Sequence, residues 1–196
     1  MIGAIVLAAG SSRRFNGDKR RSILDSGKSL LETSIENAAP HFTETIVVLR
    51  SGDSDYAAEL SASLADSTLS FFCAPGSALG MAHSLGNVIS ALTDWDAAAV
   101  FLGDMPYLKP GTIDKLIDTY KSNAKLQPII VPVNAGSYGH PVIFDKDYFD
   151  AIAALSGDVG AKAVINANKA KVIEVPLDDS GIIKDIDLQE SGSISG

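Results

Sequence analysis

Five of the chain's 16 Lys and Arg residues, Arg13, Arg14, Lys19, Arg20 and Arg21, fall in one nine-residue window, although the formal net charge is -8. The window follows an apolar run and a small-residue turn, IVLAAGSS, from Ile5 to Ser12. Small side chains at Gly10, Ser11 and Ser12 leave backbone N–H groups free to face phosphate oxygens, and crowded cations call for an anionic partner. Arg14 and Lys19 are spaced so that a loop wrapping a nucleoside triphosphate could bring both to the α-phosphorus. A solvated basic loop is the plain alternative. The second chemical candidate is Asp104, which ends the apolar run in AAAVFLGDMP. A lone Asp after a strand is more often a turn or cap residue, but in an open parallel sheet ligands sit beyond the carboxyl ends of the strands. Both the opening loop and Asp104 fall there.

Several other chemistries are excluded. A Walker A loop needs glycine, four residues and then Gly-Lys-Ser/Thr, whereas Gly17 stands seven positions after Gly10 and is followed by Asp18. GxGxxG is absent, and no Ser-His-Asp or Cys-His arrangement is evident. The single cysteine, Cys73, rules out an internal disulfide framework or a cysteine-based metal cluster, and its run Phe71-Phe72-Cys73 reads as core.

The elements that must position these residues alternate. A strand over Ile2–Ala9 leads into the loop. Ser29 and Glu32 have capping-box spacing at the start of a helix carrying Leu31, Ile35 and Ala38. Strands are expected over Thr45–Leu49, Leu69–Cys73, the run ending at Asp104, Pro128–Val133, His140–Phe144 and Ala170–Pro176. Helical spacing appears at Tyr56/Leu60/Leu64, at Met81/Leu85/Val88/Ile89/Leu92 and, after Pro110, at Ile113/Leu116/Ile117/Tyr120. Tyr148/Ile152/Leu155 mark a further helix and Val164/Ile165 a short one. The strands on either side of Gly136–Gly139 are close enough for a hairpin or a sheet-edge insertion. The alternation predicts an α/β three-layer domain with a mostly parallel sheet and right-handed crossovers.

With 196 residues, 46% apolar and 20% charged, the chain fits one domain, expected over residues 1–190, with a disordered Ser- and Gly-rich tail at 191–196. A pI near 4.7 argues against nucleic-acid and membrane-surface partners. The first apolar stretch has only strand length, so a cytoplasmic protein is expected.

LAAGSSRRFNGDK closely resembles the LAAGxSxRxGxxK opening of nucleotidyltransferases of the molybdenum-cofactor type. GMAHSL (Gly80–Leu85) is similar to their GMSxSL, LGDMPYL (Leu102–Leu108) to their DMP motif, GHPVIF (Gly139–Phe144) to GHPVxF, GDVGAK (Gly157–Lys162) to GDxGAR, and DID (Asp185–Asp187) to DIDT. Six motifs in the family's order span nearly the whole chain. The resemblance implies a Rossmann-like α/β/α fold of the glycosyltransferase-A-like kind. It also implies nucleotide contacts at Leu7, Ala8, Ala9, Gly10, Ser11, Ser12, Gly80, Met81 and Ser84, with Arg14, Lys19 and Asp104 as catalytic groups. Mg²⁺ would be held by Asp104 and Asp187, an arrangement suited to a hard cation bridging phosphates; Asp185, expected to face away, is the weaker candidate. Acceptor contacts are implied at Gly139, His140, Pro141 and Lys162. Arg20 and Arg21 receive no role and are read as solvated.

The implied reaction moves CMP from CTP, or GMP from GTP, onto the phosphate of molybdopterin, releasing pyrophosphate. A transient contact with a molybdoenzyme or its chaperone is also implied. The spelling LAAG, rather than the LAGG of the guanylyl branch, favours CTP. Departures stand at Asn16, His83, Lys162 and Leu188–Glu190, and His83 could alter base or acceptor contacts. Two alternatives are a transferase of the same fold acting on a sugar phosphate or methylerythritol phosphate, and a non-catalytic nucleotide- or cofactor-binding chaperone.

Overall fold

The computed structural model describes residues 1–10, 17–155, 157 and 160–184. Its centre is one mostly parallel sheet. The strands in chain order are β1 (Ile2–Leu7), β2 (Thr45–Arg50), β3 (Leu69–Ala74), β4 (Ala97–Leu102), β5 (Ile129–Asn134), β6 (Ser137–Tyr138), β7 (Val142–Asp145) and β8 (Val172–Pro176). Laterally they run β3-β2-β1-β4-β7-β5-β6, with β8 on the other edge of β5. The helices are α1 (Leu30–Ala38), α2 (Ser54–Leu64), α3 (Met81–Ser90), α4 (Pro110–Asn123), α5 (Phe149–Ala153) and α6 (Lys162–Ala167).

The period of two along β1 divides the core. Ala4, Val6 and Ala8 face one side with Leu31 and Ile35 of α1 and Ile113 and Leu116 of α4. Ile5, Leu7 and Ala9 face the other with Leu85 and Val88 of α3, Ile152 of α5 and Val164 of α6. A strand covered on both faces needs apolar side chains at every position, which explains the unbroken runs of β1 and β4. The capping box expected at the start of α1 is present: Glu32 N–H donates to Ser29 Oγ at 3.2 Å, and Ser29 N–H to Glu32 Oε2 at 2.9 Å.

Of the two forms expected for this segment the hairpin is found, since β5 and β7 pair antiparallel, but it does not sit at the sheet's edge. β7 lies inside the sheet, antiparallel to both β4 and β5. Its residues Val142–Phe144 are buried, so an edge position would waste their apolar surface. The tight turn lies at Ala135–Gly136, one step earlier than expected, with Ser137 and Tyr138 pairing back onto Asn134 and Val133. Ile130 then faces Ile143, so two extra residues are accommodated on the returning side around Gly139–Pro141. That break lifts His140 out of the ladder.

At the opposite end of the sheet, Trp95 is buried against Gly3, where any side chain would run into the indole ring. The Trp95 Nε1–H donates to Glu44 Oε2 at 2.9 Å. Cys73 packs half-buried against the core, as expected. Among the described residues, no helix is long and apolar enough to cross a membrane. The expected tail at 191–196 lies outside the described residues.

Candidate active site

The parallel strands β1 and β4 end side by side, and Gly103 makes the junction tight. Its N–H donates to Leu7 O at 2.9 Å, and a Cβ there would stand 3.0 Å from both Ala8 Cβ and Leu31 Cδ1. The chain therefore delivers Asp104 directly beside the stem of the opening loop. Lys19 Nζ meets Asp104 Oδ2 at 3.0 Å, with the lysine side chain 14% exposed and the aspartate 33%. Lys19 opens a short 3₁₀ turn, Lys19–Arg21, capped by Asp18, whose Oδ1 accepts the Arg20 N–H at 3.2 Å.

Two adjoining cavities open beside this pair. The smaller, about 120 Å³, is lined by Leu7, Ala8, Gly10, Lys19 and Asp104 among others. The larger, about 300 Å³, is mostly apolar and carries Gly139, His140 and Lys162 on its wall. Leu7, Met81 and Leu102 line both, so the two form one continuous cleft across the carboxyl ends of β1 and β4. The first turn of α3 opens on it, where helix N–H groups favour an anion.

The structure thus brings together Leu7, Ala8, Gly10, Met81, Lys19, Asp104, Gly139, His140 and Lys162. It separates others from the cleft. Ala9 points its methyl into the core beside α3. Gly80 caps α3 at φ 117, and Pro141 is buried beside the cleft without lining it. Ser84 is wholly buried, and its Oγ has no hydrogen-bond partner among the described residues. His83 packs its ring against Gly76, so the cleft's described lining does not include it. Ser11, Ser12, Arg14, Asn16, Asp185 and Asp187 lie outside the described residues, as does part of the GDVGAK motif.

His140 Nδ1 lies 3.3 Å from Val100 O, so its proton belongs on that nitrogen in the neutral ring. Burial pushes the imidazole below its usual pKa of 6.5, although the bond to Val100 and the charge of Asp104 act the other way. Its backbone N–H donates to Ile182 O at 2.8 Å.

One expectation fails. Arg20 is not solvated but 6% exposed. It donates from Nε and Nη2 to the two oxygens of Asp18 at 2.8 and 2.6 Å, and from Nη1 to Ala8 O at 3.0 Å and Asp53 Oδ2 at 2.5 Å. Burial opposes its charge, but the bonds to Asp18 and Asp53 outweigh that and hold it above its usual range. Arg21 does stand at the surface, paired with Glu59 at 2.7 Å and stacked on Tyr56. Arg50 and Asp53 were missed by sequence reasoning. Arg50 ends β2 and Asp53 follows it, at the same strand ends that drew attention to Asp104, and Arg50 donates twice to Gly10 O, at 3.0 and 2.6 Å.

Asp104 is suited to hold a divalent cation. Its Oδ2 takes Lys19, Oδ1 accepts no hydrogen bond from the described residues, and the side chain, one-third exposed, lines the smaller cavity. Among the described residues, no cluster of three or more His, Cys, Asp or Glu side chains is placed to hold a metal. A hard cation that keeps waters and shares phosphate oxygens needs no such cluster.

The chain is 34% identical over 147 residues to a probable molybdenum cofactor guanylyltransferase of Chloroflexus aggregans, covering 66% of this chain and 64% of that protein. It is 33% identical over 128 residues to the bifunctional protein GlmU of a Picosynechococcus species, covering 63% of this chain and 27% of that one. The chain thus spans less than two thirds of the length of these curated relatives. Among solved structures, Rv0371c of Mycobacterium tuberculosis superposes with a TM-score of 0.73 at 24% identity, over 90% of this chain and 88% of that one. The family profile described as MobA-like NTP transferase domain matches residues 4–172. On that match and the shared motifs, the chain belongs to the MobA-like NTP transferase family.

Proposed function

We propose that the chain is a nucleotidyltransferase that moves a nucleoside monophosphate from a nucleoside triphosphate to the phosphate of a small acceptor, molybdopterin being the first candidate. The observation that carries this reading is the Lys19–Asp104 pair on the wall of a small cavity that runs into a larger apolar one. The cavity with the charged wall suits a triphosphate, and the larger one, with Lys162 on its wall, suits a flat acceptor bearing an anionic group.

An acceptor phosphate oxygen attacks the α-phosphorus in line. The bond from the α-phosphorus to the bridging oxygen breaks, and pyrophosphate leaves with the electron pair. No protein nucleophile is required, so the chain's task is positioning and charge neutralisation. Lys19 stabilises charge on the phosphates, and the N-terminus of α3 presents N–H groups to the nucleotide. Arg14, Ser11 and Ser12 belong to the same loop and are assigned the same anion. His140, neutral near pH 7, orients the acceptor loop and does not carry a proton. A divalent cation, Mg²⁺ in the first instance, would sit on Asp104 with Asp187, where it shields the phosphates and polarises the α-phosphoryl group.

CTP is the first reading of the donor, from the likeness of the Ala8-Ala9 spelling to the cytidylyl branch and not from a contact of Ala9 with the base. GTP is the second reading, favoured by the name of the Chloroflexus relative. Purified protein is to be incubated with each triphosphate, Mg²⁺ or Mn²⁺, and molybdopterin, a sugar phosphate or methylerythritol phosphate. Pyrophosphate release with one pair identifies the reaction. Nucleotide binding that is unchanged in Asp104→Asn, with no turnover by the unmodified chain, would instead mean a binding protein.

A further inference from the structure

The loop assigned to the triphosphate is entered through Ala8–Gly10 and left through Gly17–Lys19. Four charged side chains join these stems. Arg20 spends four of its five N–H donors on three separate segments: Asp18 on the outgoing stem, Ala8 O on the incoming stem, and Asp53 at the start of α2. Asp53 Oδ2 also accepts the Arg50 N–H at 3.0 Å. Arg50 holds Gly10 O with two donors and stands 3.6 Å from Asp18. Two guanidinium groups and two carboxylates thus balance, and Tyr56 covers the Arg20 guanidinium 5.0 Å from the ring centre. A buried arginine is costly unless its donors are met, and here they are met by backbone and side-chain groups that have no other reason to converge.

We propose that Arg20 is a positioning residue that clamps the two stems of the loop and, through the turn it closes, sets Lys19 against Asp104. Lys19 and Arg20 are adjacent in that turn. The guanidinium is fastened to the body of the sheet through Ala8 and Asp53, so the lysine is fixed to β4 by a neighbour that need not touch the ligand. Only a planar fork can hold Asp18 at both oxygens and still reach two acceptors behind it, so lysine is not an equivalent. The kinetic consequence rests on the triphosphate reading given above; the structural one does not.

The test compares the unmodified chain with Arg20→Lys and Asp18→Asn. Without any ligand, amide hydrogen exchange is measured at residues 8–10 and 17–22, with β4 and α4 as internal controls. Exchange at the stems should rise about tenfold or more while the controls hold, as for a local opening. Unchanged stem exchange in a folded variant overturns the proposal. Should Arg20→Lys fail to fold, Asp18→Asn decides, because it keeps an oxygen to cap the Arg20 N–H but breaks the two-oxygen fork that ties Arg20 to the outgoing stem. With substrates, KM for the triphosphate should rise about tenfold or more with KM for the acceptor unchanged, since small displacements of a positioned group have effects of this size. A fall in kcat that only matches a measured loss of folded protein, with both KM values unchanged, would also overturn it. Absence of pyrophosphate release in the unmodified chain would sink the proposed reaction, yet the exchange result would still judge the clamp.

Discussion

Lys19 Nζ and Asp104 Oδ2 stand 3.0 Å apart across 85 residues of sequence. The contact joins the outgoing stem of the opening loop to the end of a central strand, and it crosses the mouth of the smaller cavity. Its partners are part-exposed and opposite in charge, so the lysine is held in place without being sealed away from a ligand.

Lys19→Ala and Asp104→Asn should each lower turnover about a hundredfold or more, because the first removes a positive charge assigned to the phosphates and the second a carboxylate assigned to the divalent cation. Stability should fall by only about 1 kcal/mol or less, as for a part-exposed ion pair. Steady-state pyrophosphate release and thermal unfolding measured on the same preparations separate the two effects. Full turnover in either variant would remove the pair from the mechanism.

Ala9→Gly should cost about 1 kcal/mol by losing a buried methyl and loosening the backbone. It should not exchange CTP for GTP. The methyl faces Leu85 and Val88 in the core, so the spelling difference between LAAG and LAGG has no direct contact with a base. A competition assay with both triphosphates reads the outcome, and a reversed preference would show that packing behind the strand is transmitted to the cleft.

Gly181→Ala should destabilise the chain by about 1–3 kcal/mol. A Cβ there runs into the carbonyl of Tyr107 and toward Asp179 Oδ1, and a backbone carbonyl cannot swing aside as a flexible side chain would. Asp179 already ties this segment to the start of α4 through Thr112 Oγ1 at 2.7 Å and Lys109 N–H at 3.1 Å. Denaturant midpoints of the variant and of Ser180→Ala, one position away, measure the cost; equal values would refute the clash.

Asp18 supplies a pH dependence. The hydrogen bond from Arg20 is the main cause that lowers its pKa below the usual 3.8, with burial acting the other way. A carboxylate depressed in the folded state adds stability above its unfolded value and loses it as pH falls through the folded one. The contribution is therefore complete above about pH 5, declines as pH falls through 3.8, and is gone only below the lowered folded value. Urea midpoints from pH 6 to pH 3 should fall less steeply at the acid end in Asp18→Asn than in the unmodified chain.

Much of the frame was readable from local pattern. The unbroken run before Asp104 announced a strand covered on both faces, and Ser29 with Glu32 announced the start of α1. What could not be read depended on distant partners. Asp18 is a local partner for Arg20, but a carboxylate two residues away does not mark burial, and the second one, Asp53, lies 33 residues away. The interior place of β7 follows from which edge of β4 was vacant, a matter of sheet order and not of residue type. Motif resemblance named Ala9, Ser84 and His83 as near the ligand but carried no direction for their side chains, and the helix and strand periods turned Ala9 and Ser84 into the core. Arg50 and Asp53 were within reach of the strand-end rule applied to Asp104, had it been extended to β2.

The packing of Trp95 on Gly3 has a practical corollary. The chain's single tryptophan is stoppered into the lower rim of the sheet, on the face that also carries the apolar cavity: Gly3 pairs with Ala98, Ala98 pairs with Phe144, and Phe144 lines that cavity. Its emission should therefore report both the integrity of the scaffold and any repacking of that wall. The protein carries an intrinsic optical gauge of the cavity's floor.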